Sequence, residues 1–199
     1  MSRFLKSIVL VTIMGFFFTQ VVYASWYAGN IRTNGYGVKA SIYAPLSAPY
    51  LEASGESNWV SLPAPNWVQT GWRYYLGWTA AKPYVEYNYG GTYGITHYGT
   101  QGWGTAKEYQ VRHVSGTTWC AFISGVQKGC FMPTTAPKTM LAESEVHVSS
   151  NNELQTTFVA VQYRNSSGTW VNFDQNNAFA NSPYQINRIT NYNFVNYGP

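Results

Sequence analysis

Charge is what this 199-residue chain has least of: Asp, Glu, Lys and Arg together make up 10% of it. Asp174 is its one aspartate, so a calcium loop, which needs clustered acids at odd spacings, is excluded. Only three histidines occur, His97, His113 and His147, and no His-x-x-x-His or Cys/His cluster offers a zinc site. Gly-x-Ser-x-Gly is absent, and a Ser/His/Asp triad would have to recruit Asp174. No phosphate-cradling glycine loop precedes a helix, and no cofactor is implied. The formal charge of +4 includes no basic run, so a nucleic-acid partner is not supported. Helical periodicity is missing beyond the first residues.

The one long apolar run lies at the start. Arg3 and Lys6 precede a mostly apolar stretch from Ile8 to Phe18, and Val22-Tyr23-Ala24 offers a small-residue cleavage site. This pattern predicts a signal peptide over residues 1–24, too short in its apolar part to favour a membrane span. The mature chain is then Ser25–Pro199, secreted to the extracellular space or periplasm and without membrane contact after cleavage. Losing Arg3 and Lys6 leaves it near +2. Its length fits a single domain with a sizeable core, and a monomer is expected.

What the chain has instead is aromatic residues, at 18%, with abundant glycine, threonine and asparagine. Such a composition favours strands. Short alternating runs broken by Gly, Pro, Asn and Ser predict strands at 36–43, 58–62, 67–75, 83–89, 93–98, 107–114, 117–123, 126–131, 141–148, 157–164, 168–173 and 185–195. About a dozen short antiparallel strands predict an all-β, two-sheet jelly-roll sandwich, concanavalin-like in class, over residues 25–199. Cys120 and Cys130 flank a hairpin with a three-residue loop, Ser124-Gly125-Val126. That register sets them opposite each other, so a disulfide is expected in an exported chain.

Within the strand Trp67-Val68-Gln69-Thr70-Gly71-Trp72, Trp67, Gln69 and Gly71 share one face, and Val68, Thr70 and Trp72 the other. A glutamine then stands beside a large aromatic, with a glycine that opens space. Two further strands carry acids at alternating positions. Pro83–Tyr89 presents Tyr84, Glu86 and Asn88 on one face. Leu141–Val148 presents Glu143, Glu145 and His147. If these strands share a sheet, Gln69, Glu86, Glu143 and Glu145 meet on its open face. Acids at alternating positions also suit an ordinary solvated face.

The ordered pieces Ser57-Asn58-Trp59-Val60-Ser61-Leu62, Trp67-Val68-Gln69-Thr70-Gly71-Trp72, Tyr84-Val85-Glu86-Tyr87 and Ala142-Glu143-Ser144-Glu145-Val146 resemble the motif series of the eqolisin family of glutamic peptidases. The Gln-Thr-Gly, Gly-Trp and late Glu-Val pieces are also similar to the neprosin domain, where a glutamate replaces the glutamine. The resemblance spans roughly residues 36–165; the cysteine pattern departs from it. It implies a metal-independent endopeptidase with a Glu/Gln dyad, acting on polypeptide. Gln69 takes the glutamine role and Glu86 a supporting acid role. For the catalytic glutamate two candidates stay open. Ala142-Glu143 fits the eqolisin motif, whereas Ser144-Glu145-Val146 fits the neprosin motif, and Glu145 is slightly favoured. The implied mechanism has the glutamate activate a water while the Gln69 amide orients it and donates to the oxyanion. Repulsion between Glu143 and Glu145 should raise one pKa, with activity expected at acid pH. Trp67, Trp72, Tyr84, Asn88 and His147 are the candidate substrate contacts.

A non-catalytic binding module for carbohydrate or peptide competes with this reading. Exposed aromatics such as Trp67, Tyr84, Trp103 and Trp119 would then stack on sugar rings or peptide side chains. A glycoside hydrolase with paired carboxylates is a third possibility, supported by no motif.

Overall fold

The computed structural model describes residues 26–48, 55–146 and 155–198. The predicted signal segment and His147 lie outside them. Among the described residues fifteen strands follow one another: β1 (Trp26–Gly35), β2 (Gly37–Tyr43), β3 (Gly55–Ser61), β4 (Trp67–Tyr75), β5 (Lys82–Tyr89), β6 (Thr92–His97), β7 (Ala106–Ser115), β8 (Thr118–Ile123), β9 (Val126–Phe131), β10 (Lys138–Val146), β11 (Gln155–Arg164), β12 (Trp170–Asn172), β13 (Phe179–Ala180), β14 (Gln185–Thr190) and β15 (Asn193–Tyr197). They form two antiparallel sheets. One runs β13-β1-β10-β3-β4-β5-β6; the other runs β14-β15-β11-β2-β7-β8-β9, with β12 paired to β11. The jelly-roll sandwich expected from composition is therefore the observed fold.

Alternation places the core. From β4, Val68 and Trp72 point inward; from β3 and β5, Val60 and Val85 do the same. They meet Val38, Ala40 and Ile42 of β2, Tyr109 and Val111 of β7, Trp119 and Ala121 of β8, and Phe158 of β11. All of these are buried. Each of the larger side chains contributes on the order of 2 kcal/mol by leaving water, and together they clamp the sheets face to face.

Turn chemistry sets register where glycine permits a positive φ. Gly90 and Gly91, at φ 56° and 77°, turn β5 into β6. Ser124 and Gly125, at 50° and 77°, turn β8 into β9 as a two-residue loop, with Ile123 opposite Val126. The predicted loop had three residues. A register shift between Ala121 and Phe122 supplies the missing step, so Cys120 still faces Cys130 and the disulfide forms.

Several strand assignments differ from the reading of the sequence; β13 was not predicted, and β10 begins at Lys138 rather than 141. β1 was not predicted, because Gly29, Asn30 and Asn34 interrupt its pattern. Gly29 is needed there: a Cβ would lie 2.6 Å from the Cβ of Glu143 on β10. Asn30 is buried rather than in a turn, its Nδ2 donating to the Asn191 carbonyl at 2.8 Å. The predicted strand 185–195 is a hairpin, β14 and β15, turning at Asn191-Tyr192. β3 begins at Gly55 rather than Asn58, which carries Glu56 into the sandwich interior. There its Oε1 accepts from Asn58 Nδ2 at 2.6 Å and from Thr156 Oγ1 at 2.8 Å. Burial pushes the Glu56 carboxyl up to about 7, against the lowering effect of those two hydrogen bonds.

Candidate active site

Strand register stacks three rows of side chains on the outer face of the seven-stranded sheet. The first row runs Leu141, Ser61, Gln69, Glu86 across β10, β3, β4 and β5. The second runs Gly29, Glu143, Trp59, Gly71, Tyr84, starting on β1. The third runs Tyr27, Glu145, Ser57, Arg73. Between them lies a cleft of about 430 Å³, with Gln69, Glu86, Glu143 and Glu145 all in its lining. By register one end is apolar, made by Leu62, Pro63, Ala64, Trp67 and Leu141; the other is polar, made by Tyr27, Arg73 and Tyr75, and the Tyr93 hydroxyl reaches Glu86 from β6.

Gly71 does not open this cleft, as its place beside Gln69 suggested. A Cβ there would fall 1.8 Å from the Asn58 carbonyl oxygen and 2.6 Å from the Trp59 Cα. Glycine instead lets the backbones of β3 and β4 close together, drawing the Trp59 and Gln69 strands into one tight surface.

Gln69 is held firmly. Its Nε2 donates to Glu86 Oε2 at 2.9 Å and to the Tyr84 hydroxyl at 3.0 Å, using both N–H groups. Glu86 also accepts from Arg73 Nη2, 2.7 Å from Oε2, and from the Tyr93 hydroxyl, 2.6 Å from Oε1. Partial burial and the hydrogen bond to Glu86 push the Tyr93 phenol up to about 12, so it stays a donor. Tyr84, wholly buried, is raised well above the ordinary tyrosine range, chiefly by desolvation.

Glu143 is buried on the same face, its Oε1 accepting from Trp59 Nε1 at 3.1 Å. Burial is the main cause that raises it to about 7; the indole hydrogen bond opposes, and the charge of Glu145 adds a smaller push. The repulsion expected between the two acids is thus present but subordinate to desolvation. Glu145 accepts from the Tyr27 hydroxyl at 3.0 Å. By register Glu143 lies one row from Gln69, and Glu145 lies two.

The candidate substrate contacts divide. Trp67 lines the cleft. Trp72 does not: it is 0% exposed in the core, where alternation from Gln69 must place it. Tyr84 is also 0% exposed and lies beneath Gln69, so it supports the glutamine and cannot touch a ligand. Asn88 is half-buried on β5 opposite Trp67, beyond the cleft lining. Among the aromatics considered for stacking, Trp119 is a core residue and Trp103 packs edge-on against Tyr74 at 5.2 Å. Sequence reasoning missed Tyr27, Ser61, Arg73, Tyr75 and Tyr93, and gave Trp59 no role in the site. Arg73 was legible, since it shares a face with Gln69 by simple alternation. Tyr27 was not, because its strand was unrecognised. Among the described residues no group of three or more His, Cys, Asp and Glu is placed to hold a metal ion.

No family model and no curated protein matches the sequence. Solved structures do. Scytalido-glutamic peptidase, in complex with a peptide-based transition-state analogue, aligns at a TM-score of 0.64 and 15% identity, over 88% of this chain and 98% of that one. SCP-B, a member of the eqolisin family of peptidases in complex with the tripeptide Ala-Ile-His, aligns at 0.63 and 15% identity with the same coverage. The likeness extends over nearly the whole of both folds and matches the glutamic-peptidase resemblance of the motifs. At this identity it establishes a shared fold.

Proposed function

We propose that the cleft is the active site of a metal-independent endopeptidase in which Glu143 and Gln69 act as the working pair. The observation that carries this reading is the arrangement around them. A buried carboxyl that changes ionisation near neutrality and a carboxamide fixed through both its N–H groups line one cleft, one row apart. Glu143 then takes a proton from a water as that water attacks the scissile carbonyl, and returns it to the leaving amine. Gln69 Oε1 accepts a hydrogen bond from the water's other O–H and aims its lone pair. Glu145 shapes the polar end of the cleft instead of acting as the base.

An acid optimum is implied by the family resemblance, but the environment of Glu143 leads to a different expectation. A base works only when ionised. For a carboxyl raised to about 7, the rate therefore climbs as pH rises through that value. The substrate class we infer is an extended polypeptide, lying with apolar residues against Trp67 and Leu141 and polar ones toward Tyr75. We also place the mature protein outside the cytoplasm, on the start pattern of Arg3, Lys6 and Ile8–Phe18 and on the Cys120–Cys130 bridge.

The test is cleavage of an unfolded protein by the purified mature chain across pH 3–9, in the presence of chelators and serine-directed inhibitors. Cleavage that resists both is the expected result. A chain that cleaves nothing in that range but is retained on a glycan array would replace the peptidase reading with the binding-module one.

A further inference from the structure

We propose that Arg73 is a positioning residue that decides which end of the Gln69 carboxamide faces the cleft. The two ends of a carboxamide are nearly the same size, so packing cannot choose between them; hydrogen-bond chemistry must. Gln69 presents Nε2 to Glu86 Oε2, and Oε1 accepts no hydrogen bond among the described residues and is the end turned to the cleft. That choice holds only while Glu86 is an acceptor. Three donors converge on its carboxylate: Gln69 Nε2 and Arg73 Nη2 on Oε2, and the Tyr93 hydroxyl on Oε1. Arg73 and Gln69 share Oε2, so the cation holds that oxygen against the amide.

Arg73 is itself fixed. Its Nε donates to Ser57 Oγ at 3.1 Å, and its guanidinium carbon sits 4.3 Å above the Tyr84 ring. The same Tyr84 accepts from Gln69. The cation is thus tied to the glutamine from two sides, through Glu86 and through Tyr84. It is 8% exposed, held by the sheet, and donates to none of the groups assigned to the reaction. Remove the cation, and Oε2 loses the donor that holds it against Gln69, leaving the Tyr93 hydroxyl to draw the carboxylate away through Oε1. Gln69 Nε2 is then left with the Tyr84 hydroxyl alone, which donates as readily as it accepts and selects neither end of the amide. The amide is free to turn Nε2 toward the cleft, where it cannot accept from a water.

The kinetic consequence rests on the peptidase reading; the orientation does not. The experiment uses the ¹⁵N-labelled mature protein and the side-chain NH₂ signals of Gln69, assigned by their loss in Gln69→Glu. In the wild type both protons exchange slowly with solvent. In Arg73→Met that protection is lost, and Arg73→Lys, which keeps a cation beside Glu86, restores part of it. Should Arg73→Met fold poorly, the pair Arg73→Met with Glu86→Gln removes both charges. It also leaves the amide orientation unselected, so protection is lost there too. Where cleavage is measurable, Arg73→Met lowers kcat on the order of a hundredfold with KM little changed. Gln69 signals that stay protected in either variant would overturn the proposal. If the wild type cleaves nothing, the peptidase reading fails, while the exchange measurement still decides this one.

Discussion

Glu56 and Glu143 lie on strands that pair with one another, on opposite faces of the same sheet, and both are raised to about 7 by burial. Their surroundings differ. Glu56 points between the sheets, held by Asn58 and Thr156, where no substrate can reach. Glu143 points outward into a cleft, with Trp59 on one oxygen and Gln69 one row away. A perturbed acid alone therefore does not mark a site. What separates the two is access and a partnered amide, and both follow from strand alternation: even positions of β3 face the interior, while odd positions of β10 face the cleft.

The largest effect that sharpens this comparison is on rate. Glu143→Gln should lower cleavage by roughly a hundred- to ten-thousandfold, the range for loss of a positioned acid–base group, whereas Glu56→Gln should cleave at close to the wild-type rate. Equal losses in the two variants, measured at one substrate concentration well below KM, would erase the distinction. Next comes Gln69→Ala, for which a loss of about a hundred- to thousandfold is expected, concentrated in kcat.

A smaller effect concerns stability and reverses the roles. Glu56 has a folded pKa above its unfolded value, so the folded state binds the proton more tightly. Its contribution is fully present below pH 4.5 and is lost as pH rises toward about 7. The shift corresponds to about 3 kcal/mol, and Glu143 tilts the balance the same way. Denaturant titrations at pH 4 and pH 8 should show the wild type more stable in acid, with much of the difference removed by Glu56→Gln. A wild type with equal stability at both values would contradict the interior assignment. The smallest effect is a displacement of the rate profile. Trp59→Phe deletes the hydrogen bond that holds the Glu143 pKa down, so the limb of the profile governed by Glu143 should move to higher pH.

Much of this molecule can be read before it is folded. β4 and β9 end where alternation and turn residues end them, and the Gln69–Glu86 pairing follows once β4 and β5 are neighbours. The parts that could not be read share a cause. Gly29 and Asn30 look like a turn, yet they serve a close strand approach and a buried amide. Tyr27 and its contact to Glu145 were hidden with them. Gly71 looks like open space and is a backbone contact. Trp72 reads as a substrate contact beside Gln69, yet the face opposite Gln69 is the core. The preference between Glu143 and Glu145 needed the register of β10 against β3, which no local pattern contains.

The pH dependence of kcat/KM for cleavage of an unfolded polypeptide, from pH 3 to 9, bears most directly on Glu143 when wild type and Glu143→Gln are run together. The expected result is a rate that rises through a single ionisation near 7 in the wild type and is lost in the variant. A profile that Glu143→Gln leaves unchanged would contradict Glu143 as the base, and a wild-type rate already at its plateau below pH 5 would contradict its raised ionisation.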